Sequence, residues 1–336
     1  MYKERGVHQL KNQDIKKRLP LLAIFAALVL ALPFLLKLTT GNDYLTTISC
    51  FALVYIIAVN GLDILFGYSG QISLGHAAFF AIGGYTTGML AKYFHLPIYL
   101  TIAIAAILAC VIGALLAYPA AKLKFHFLSL ATIAFGEIIL NLANVSPGGV
   151  TGDNLGMPVV GIKFLTNTTR WYYFLLFFVV IALLYKTSLV KSRVGRAFMA
   201  IRENTHAADG MGVNVHKYKI IAFAVSAFYT GFAGALYAHL MKYMNPNNAE
   251  LAQSVMFLTM LLFGGTASLF GPILGVVLIT VLMELIRPLQ EYQMLFFGTL
   301  LLIVIIALPG GFYGGIKDIR ESIQKRKLQK AQLGRK

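Results

Sequence analysis

The chain has 336 residues, of which 58% are hydrophobic and only 12% charged, and its mean hydropathy is +0.73. Because a soluble domain carries about 25% charged residues, this composition excludes an ordinary soluble protein and predicts an integral membrane protein with many spans. The net charge of +16 is expected to orient those spans rather than to bind nucleic acid. Both cysteines, Cys50 and Cys110, lie in apolar runs, so the sequence predicts neither a disulfide framework nor a thiolate metal site.

Ten apolar runs have about the length of a membrane-spanning helix, roughly 17–25 residues, and predict an all-α polytopic membrane fold. The run at 72–91 is Gly-rich and the run at 272–287 is short, so the count of ten depends most on these two. No small-residue cleavage site follows the run at 19–38, which is therefore predicted to be a span rather than a signal peptide. The runs are 19–38, 44–66, 72–91, 97–120, 126–144, 171–186, 218–240, 254–270, 272–287 and 293–309.

The distribution of Lys and Arg predicts that both termini face the cytoplasm. With ten spans and the N-terminus inside, the cytoplasmic side holds 23 of the 29 Lys and Arg residues, which is a strong positive-inside bias. If the run at 72–91 only re-entered the membrane, the basic segment 186–219 would face outward, against that bias. The predicted cytoplasmic segments are 1–18, 67–71, 121–125, 186–219 and 310–336.

Three parts are therefore expected along the chain. A cytoplasmic N-terminal segment at 1–18 precedes a transmembrane domain at 19–309, which contains the long cytoplasmic loop 186–219. A basic, amphipathic cytoplasmic tail follows at 310–336 and is predicted to lie near anionic lipid rather than nucleic acid.

Two Gly-rich segments interrupt the apolar pattern. The first, GYSGQISLGHAAFFAIGGYTTG at 67–88, carries six glycines among Ser, Thr, Gln and His. Its side chains of Gln71, Ser73 and His76 are expected either to line a water-filled path or to be satisfied inside a tightly packed helix pair, and both interpretations stay open here. The second segment, at 264–275, contains the pair Gly264–Gly265 and then Pro272, which cannot continue a helical ladder. Because interrupted helices in two halves of a chain point to a transport site, this glycine pair joins the candidate path-lining residues.

Charged side chains inside the predicted spans are few, and each is a candidate functional residue because charge is costly in lipid. Glu284 and Arg287 stand about one helical turn apart, so they are predicted to form a local ion pair. Glu137 has no charged neighbour in the sequence and is expected either to face the bundle interior or to be protonated, and it is also a candidate path-lining residue.

The basic segment 186–219 is long and polar, although it lies between two apolar predicted spans. With Ser192 as a predicted cap, one helical face forms and the helix is expected to end near Gly210 or Gly212. A modest apolar stripe rimmed by Arg favours docking into a groove of a soluble protein, and the alternative is a helix lying on the bilayer surface. The stripe consists of Val194, Phe198, Ile201, Thr205 and Ala208.

The sequence does not support an enzyme. Gly67–Gly70 matches the GxSG pattern around the nucleophile of intramembrane serine proteases, but Ser69 falls at a predicted membrane edge, where a buried nucleophile would be misplaced. No phosphate-binding loop, HExxH or CxxC motif is present. The chain is therefore expected to bind no cofactor and to be unable to hydrolyse ATP by itself.

Three segments in order resemble the motifs of branched-chain amino-acid ABC transporter permeases, and their arrangement is most similar to the LivM-type subunit. The segments are GLDILFGYSGQISLGHAAFFAIGGYTTGML at 61–90, SRVGRAFMAIRENTHAADGMGVNVHKYK at 192–219 and FGGTASLFGPILG at 263–275. The resemblance runs from about residue 45 to 313.

This resemblance implies a permease subunit that pairs with a second, related permease in a bacterial or archaeal inner (plasma) membrane. Two ATP-binding cassette subunits would dock beneath and use the ATP, and an extracytoplasmic binding protein would deliver branched-chain or related hydrophobic amino acids. Arg196 and Arg202 lie in the matching coupling segment. The positions carried over by motif into the ATPase-facing helix are Glu203, Ala207, Ala208 and Gly212.

The chain departs from the family pattern at three places. The loop 146–158 is altered, Gly210 stands where Ala is frequent, and Asp63 stands where Asn is common. Urea or short-amide permeases share the same motifs, so that substrate class is an alternative. A stand-alone secondary transporter is an alternative of another class, but it would leave the segment 186–219 without a role.

Overall fold

The computed structural model describes residues 29–38, 42–121, 125–162, 164–287, 292–307, 311–312 and 314. The predicted segment 1–18, nearly all of the basic tail, and Lys122, Lys124 and Lys163 lie outside these residues. The helices are α1 (Val29–Leu38), α2 (Tyr44–Asp63), α3 (His76–Tyr93), α4 (Ile98–Ala120), α5 (Phe125–Asn144), α6 (Thr168–Lys191), α7 (Arg193–Glu203), α8 (Thr205–Gly210), α9 (Val215–Met241), α10 (Leu251–Gly264), α11 (Gly271–Ile286) and α12 (Gln293–Ala307).

An all-helical polytopic membrane protein is confirmed. Among the described residues, five helices are long and apolar enough to cross a membrane, namely α4, α5, α6, α9 and the continuous helix Tyr44–Tyr68. The shorter helices α1, α10 and α11 are also apolar. The total of ten spans and the placement of both termini stay predictions.

Helix α9 forms the centre of the bundle and packs against α2, α3 and α4. Its buried positions are rich in small residues, including Ala227, Ala233 and Ala235. Small side chains let helix backbones approach closely, and this packing matters in a membrane because no hydrophobic effect drives helices together there. Aromatic rings fill the space beside it. The centroid of the Phe80 ring is 5.1 Å from that of Tyr237 and 5.6 Å from that of Phe257.

The two ends of the bundle carry different elements. The end that carries α7 and α8 is called the α7 end. The opposite end, here the β end, carries a short antiparallel pair of strands, β1 (Met157–Pro158) and β2 (Tyr243–Met244). The altered loop 146–158 lies at the β end, where the Asp153 carboxylate accepts hydrogen bonds from the backbone N–H and the hydroxyl of Ser146.

Helix α2 does not stop where the second span was predicted to stop. It continues through a π-helical turn, Ile64–Tyr68, and α3 then begins only at His76. The intervening residues 69–75 are not helical, and Gln71 and Ser73 within them are buried. Irregular backbone at membrane depth is tolerated only inside protein or beside water, so this segment needs internal hydrogen-bond partners.

Helices α6, α7 and α8 follow one another with a single residue between each pair. Helix α6 extends to Lys191, beyond the predicted span end at residue 186. The predicted cap is confirmed, since the Ser192 hydroxyl accepts hydrogen bonds from the N–H groups of Val194 and Gly195. The expected single helix is wrong, because Asn204 leaves the helical conformation and its side chain caps a new helix, α8.

Helices α10 and α11 pack against each other on either side of a loop at 265–270. Helix α10 ends at Gly264, so the predicted span 254–270 is too long at this end. The loop reaches the α7 end, where it meets α2 and α6 through hydrogen bonds from Ala267 and to Ser268.

Candidate coupling site and transport path

A buried ion pair lies at the α7 end of the bundle. The Lys186 Nζ of α6 is 2.7 Å from the Asp63 Oδ2 of α2, and both side chains are at most 1% exposed. The same ammonium donates to the Asn60 Oδ1 at 2.6 Å and to the Ser268 carbonyl at 3.1 Å. Three acceptors therefore satisfy the three donors of this lysine, which is what a buried ammonium requires.

The other carboxylate oxygen of Asp63 holds the loop between α10 and α11. Asp63 Oδ1 accepts a hydrogen bond of 2.7 Å from the Ala267 N–H. Gly67 lies directly against this contact, because a Cβ there would come within 2.0 Å of Asp63 Oδ1 and 2.7 Å of the Ala267 nitrogen. The sequence needs glycine at this position so that the loop can reach the carboxylate.

The ion pair brings together three segments that are far apart in the sequence. Asp63 belongs to the segment 61–90, Ser268 belongs to the segment 263–275, and Lys186 begins the basic segment 186–219. Helix α7 lies beside them and contacts α6, α9 and the π-helical turn. A Cβ at Gly70 would be 3.1 Å from Arg202 Cγ, so α7 closes over the end of α2.

The apolar stripe predicted for docking faces the chain's own bundle. Phe198, Ile201 and Ala208 are buried, and the Phe198 ring packs near the ring of Tyr218 at the start of α9. The predicted stripe therefore holds α7 and α8 onto the protein, and it is not available to a partner in this structure.

The opposite side of α7 and α8 is open. Five of the six predicted coupling residues are exposed there, and Ala208 alone among the six is buried. Met211 beside them is 86% exposed, and among the described residues no atom beyond the adjacent backbone lies within 4 Å of a Cβ built at Gly210 or Gly212. The exposed five are Arg196, Arg202, Glu203, Ala207 and Gly212.

Three of the predicted path-lining side chains are buried and hydrogen-bonded. Gln71 Nε2 donates to the Ser69 hydroxyl at 2.7 Å and to the Lys219 carbonyl at 3.3 Å. His76 hydrogen-bonds through Nδ1 to the Ser73 hydroxyl at 3.0 Å and through Nε2 to the Ser226 hydroxyl at 2.7 Å. These contacts attach the start of α3 to α9, and a role of these side chains in lining a path stays a prediction.

Hydroxyl groups from other helices satisfy backbone N–H groups at the start of α3. The Leu74 N–H donates to the Thr132 hydroxyl of α5 at 3.0 Å, and the Ala77 N–H donates to the Ser254 hydroxyl of α10 at 2.9 Å. Helix α3 has no side-chain cap of its own, so these two hydroxyls serve as its cap from outside. The pattern around Ser69 also fits structure rather than catalysis, because its hydroxyl donates to the Leu65 carbonyl at 2.9 Å.

The remaining path-lining candidates divide into two kinds. Gly264 and Gly265 are buried, and a Cβ at Gly264 would lie 1.9 Å from the Gly271 carbonyl oxygen, so the pair serves the close approach of α10 and α11. Glu137 alone of the six is exposed on the outer face of its helix, α5.

Sequence reasoning missed Lys186 and the polar contact of His239. The Nε2 of His239 lies 2.8 Å from the Thr87 hydroxyl, which is itself 2.8 Å from the Thr101 hydroxyl, and this chain joins α9, α3 and α4. Lys186 and His239 are polar residues at the end of, or inside, apolar runs, and this feature of the sequence could have marked them as candidates. By contrast, the Glu284–Arg287 ion pair is confirmed at 3.6 Å, and Tyr44 of α2 hydrogen-bonds to both side chains.

The family model described as branched-chain amino acid transport system / permease component matches residues 44–305, a range that includes the ion pair, α7, α8 and the loop at 265–270. The chain belongs to this family of permeases. The permease is 31% identical over 328 residues to the high-affinity branched-chain amino acid transport system permease protein LivM of Escherichia coli (strain K12), which covers 89% of this chain and 76% of that protein.

Two further relatives share less of their sequence with the permease. It is 26% identical over 313 residues to the probable branched-chain amino acid transport permease protein LivM of Methanocaldococcus jannaschii, covering 78% of this chain and 90% of the relative. It is also 26% identical over 312 residues to the L-arabinose ABC transporter permease protein AraH of Azospirillum brasilense, covering 90% and 88%. No solved structure matches the chain.

Proposed function

We propose that this permease is one transmembrane subunit of an ABC importer that moves branched-chain or related hydrophobic amino acids across a bacterial or archaeal inner membrane. It forms a heterodimer with a second, related permease. Two ATP-binding cassette subunits dock at the α7 end and hydrolyse the ATP. An extracytoplasmic binding protein delivers the amino acid at the β end.

The substrate class rests on the relatives named LivM, and the arabinose permease shows that relatives with other solutes exist. The coupling role rests on one observation, the exposed outer side of α7 and α8. An apolar inner side fixes these helices to the bundle, while charged and small residues remain outside for a partner. A bilayer-surface helix would instead turn its apolar side outward.

The proposed mechanism follows from these contacts. ATP binding draws the two ATPase subunits together, and α7 and α8 move with them as a rigid unit. A single residue separates α6 from α7, and Lys186 of α6 hydrogen-bonds to α2 and to the loop at 265–270, so the motion reaches α6, α2 and this loop at once. A movement of this kind shifts the permease pair between inward-open and outward-open states only if the docked surface makes different contacts in each.

Uptake by the complete transporter tests the proposal. The permease is co-expressed with its neighbouring ATPase, second-permease and binding-protein genes in a host lacking leucine uptake, and labelled L-leucine is followed. The double variant Glu203→Lys/Ala207→Arg is expected to abolish uptake and substrate-stimulated ATPase activity while the amount of permease in the membrane is retained. Wild-type uptake by this variant would overturn the coupling assignment.

The other candidate functions appear as distinct outcomes of the same experiment. Uptake of urea instead of leucine would replace the substrate class and leave the coupling role intact. Uptake without the ATPase genes that collapses with the ion gradient would instead establish a secondary transporter.

A further inference from the structure

Glu137 occupies an unusual position within α5. The helix is apolar enough to cross a membrane between Phe127 and Asn144. At a rise of about 1.5 Å per residue, Glu137 lies about 10 Å along the axis from Asn144 and therefore inside the span. Its side chain is exposed.

The side of α5 that carries Glu137 has no partner within the described part of the chain. The other side packs inward through Thr132, which bonds to the backbone ahead of α3, and through Phe135, whose ring is 5.3 Å from that of Phe79. The exposed residues follow a helical spacing, so they form one face. That face consists of Leu130, Ala134, Glu137, Ile138, Asn141, Leu142 and Val145.

The carboxylate of Glu137 differs from the other two carboxylates in the described spans. Asp63 is paired with Lys186, and Glu284 is paired with Arg287. Asn141 stands one turn from Glu137, but its amide donates 2.8 Å to the Glu137 backbone carbonyl rather than to the carboxylate. Within the ranges that the structure describes, Glu137 has no ion-pair partner.

An exposed ionisable group at this depth is costly against lipid, and such groups face a water-filled cavity or another protein chain. Beside Glu137, the exposed side chains of Ile138 and Leu142 provide apolar surface. A solute that matches this face carries a positive group and an aliphatic group close together. A zwitterionic aliphatic amino acid has both, with its ammonium group next to its branched side chain.

We propose that the Glu137 face lines the transport path between this permease and the second permease, and that the Glu137 carboxylate binds the ammonium group of the amino acid in transit. The assignment rests on the proposed function, because it takes the solute to be an amino acid. It makes Glu137 a substrate-contacting residue on α5, whereas Gln71, Ser73 and His76 hold α3 in place.

Cysteine accessibility tests the position of Glu137 without depending on the solute. In the complete transporter with Cys50→Ala and Cys110→Ala, a cysteine is introduced as Glu137→Cys or, as a control, as Ile107→Cys. Ile107 is an exposed apolar residue at a similar depth in α4. The first variant is expected to react with a membrane-impermeant methanethiosulfonate reagent and the second is not. If Glu137→Cys is as unreactive as Ile107→Cys, the path assignment is overturned.

Transport kinetics test the contact with the ammonium group. The variants Glu137→Gln and Glu137→Asp are compared with Ile107→Gln, which places the same amide on an exposed position of α4 outside the Glu137 face. Loss of a charge-assisted hydrogen bond is expected to lower the maximal rate of L-leucine uptake about tenfold or more in Glu137→Gln, with partial retention in Glu137→Asp. The KM is expected to stay near the wild-type value because the binding protein sets it.

The two failures are distinguishable. A wild-type rate in Glu137→Gln, with the wild-type transporter taking up leucine normally, overturns the ammonium contact and leaves the proposed function standing. Absence of leucine uptake by the wild-type transporter overturns the proposed function together with the ammonium contact, while the labelling result still decides whether Glu137 faces the path.

Discussion

Lys186 and Asp63 stand 123 positions apart in the sequence and form an ion pair of 2.7 Å inside the bundle. A buried ion pair contributes little net stability relative to a well-packed apolar pair, because both charges lose their hydration. Loss of one partner is a different matter, since it leaves the other charge buried and uncompensated. The pair therefore fixes the relative positions of α2, α6 and the loop at 265–270 more than it stabilises the fold.

A double-mutant cycle tests this account of the ion pair. Asp63→Leu and Lys186→Met are each expected to destabilise the permease by about 3–5 kcal/mol, whereas the double variant is expected to recover most of that loss. The measurement is thermal unfolding of the solubilised complex. Additive losses in the double variant would show that the two side chains do not act as a pair.

Recovered stability need not bring back transport. The double variant lacks the hydrogen bonds from Lys186 to Ser268 and from Ala267 to Asp63, which attach the loop at 265–270. We expect the transporter that contains this variant to transport less leucine per ATP hydrolysed than the wild type. The ratio of the two rates, measured in the same proteoliposomes, checks this expectation.

This ion pair shows where sequence reasoning reaches its limit. Lys186 ends an apolar run, so a charge count places it among the cytoplasmic charges, and a contact across 123 residues leaves no periodic signal. Local features were predictable because their causes are local. The Ser192 cap and the Glu284–Arg287 pair each depend on residues within one helical turn.

The position at which α3 begins also depends on contacts that the sequence does not reveal. Hydropathy places a span at 72–91, but it cannot say that the helix begins only at His76. The backbone at this helix start is held because the N–H groups of Leu74 and Ala77 donate to the hydroxyls of Thr132 in α5 and Ser254 in α10. These hydrogen bonds depend on how α3, α5 and α10 pack together. The sequence therefore marks the polar residues of this segment as candidates but does not reveal which groups they contact.

Gly67→Ala tests the close approach of the loop at 265–270 to α2. The new methyl group would clash with Asp63 Oδ1 and with the Ala267 backbone nitrogen. These two atoms are hydrogen-bonded to each other, so neither can move away without breaking that bond. We expect a loss of about 1–3 kcal/mol, read as a lower melting temperature of the purified permease complex.

Gly210→Ala is the matched control for that substitution. Gly210 lies in the last turn of α8, and no atom of the described residues beyond the adjacent backbone lies within 4 Å of a Cβ built there. The change is expected to be neutral or to stabilise α8 by about 0.4–1 kcal/mol. Equal destabilisation by both substitutions would argue that the effect comes from glycine loss in general rather than from the contact with Asp63.

The caps of α7 and α8 offer a test of rigid coupling. Ser192→Ala and Asn204→Ala each remove a side chain that accepts two backbone hydrogen bonds, which weakens a helix start by about 0.5–2 kcal/mol. We expect faster hydrogen exchange in 193–210 and less stimulation of the ATPase by loaded binding protein. Thr187→Ala, which removes an exposed hydroxyl bonded only to the Leu184 carbonyl, is expected to change neither.

The hydrogen bond between His76 and Ser226 separates the two interpretations of the Gly-rich segment. If His76 anchors α3 to α9, Ser226→Ala leaves a buried imidazole nitrogen without its 2.7 Å partner. A loss of about 1–3 kcal/mol in stability is then expected, with the preference among leucine, isoleucine and valine unchanged. If His76 lined the path, the order of preference would change while the melting temperature stayed near the wild-type value. Ser49→Ala, which removes a hydroxyl bonded within its own helix, controls for the loss of a serine.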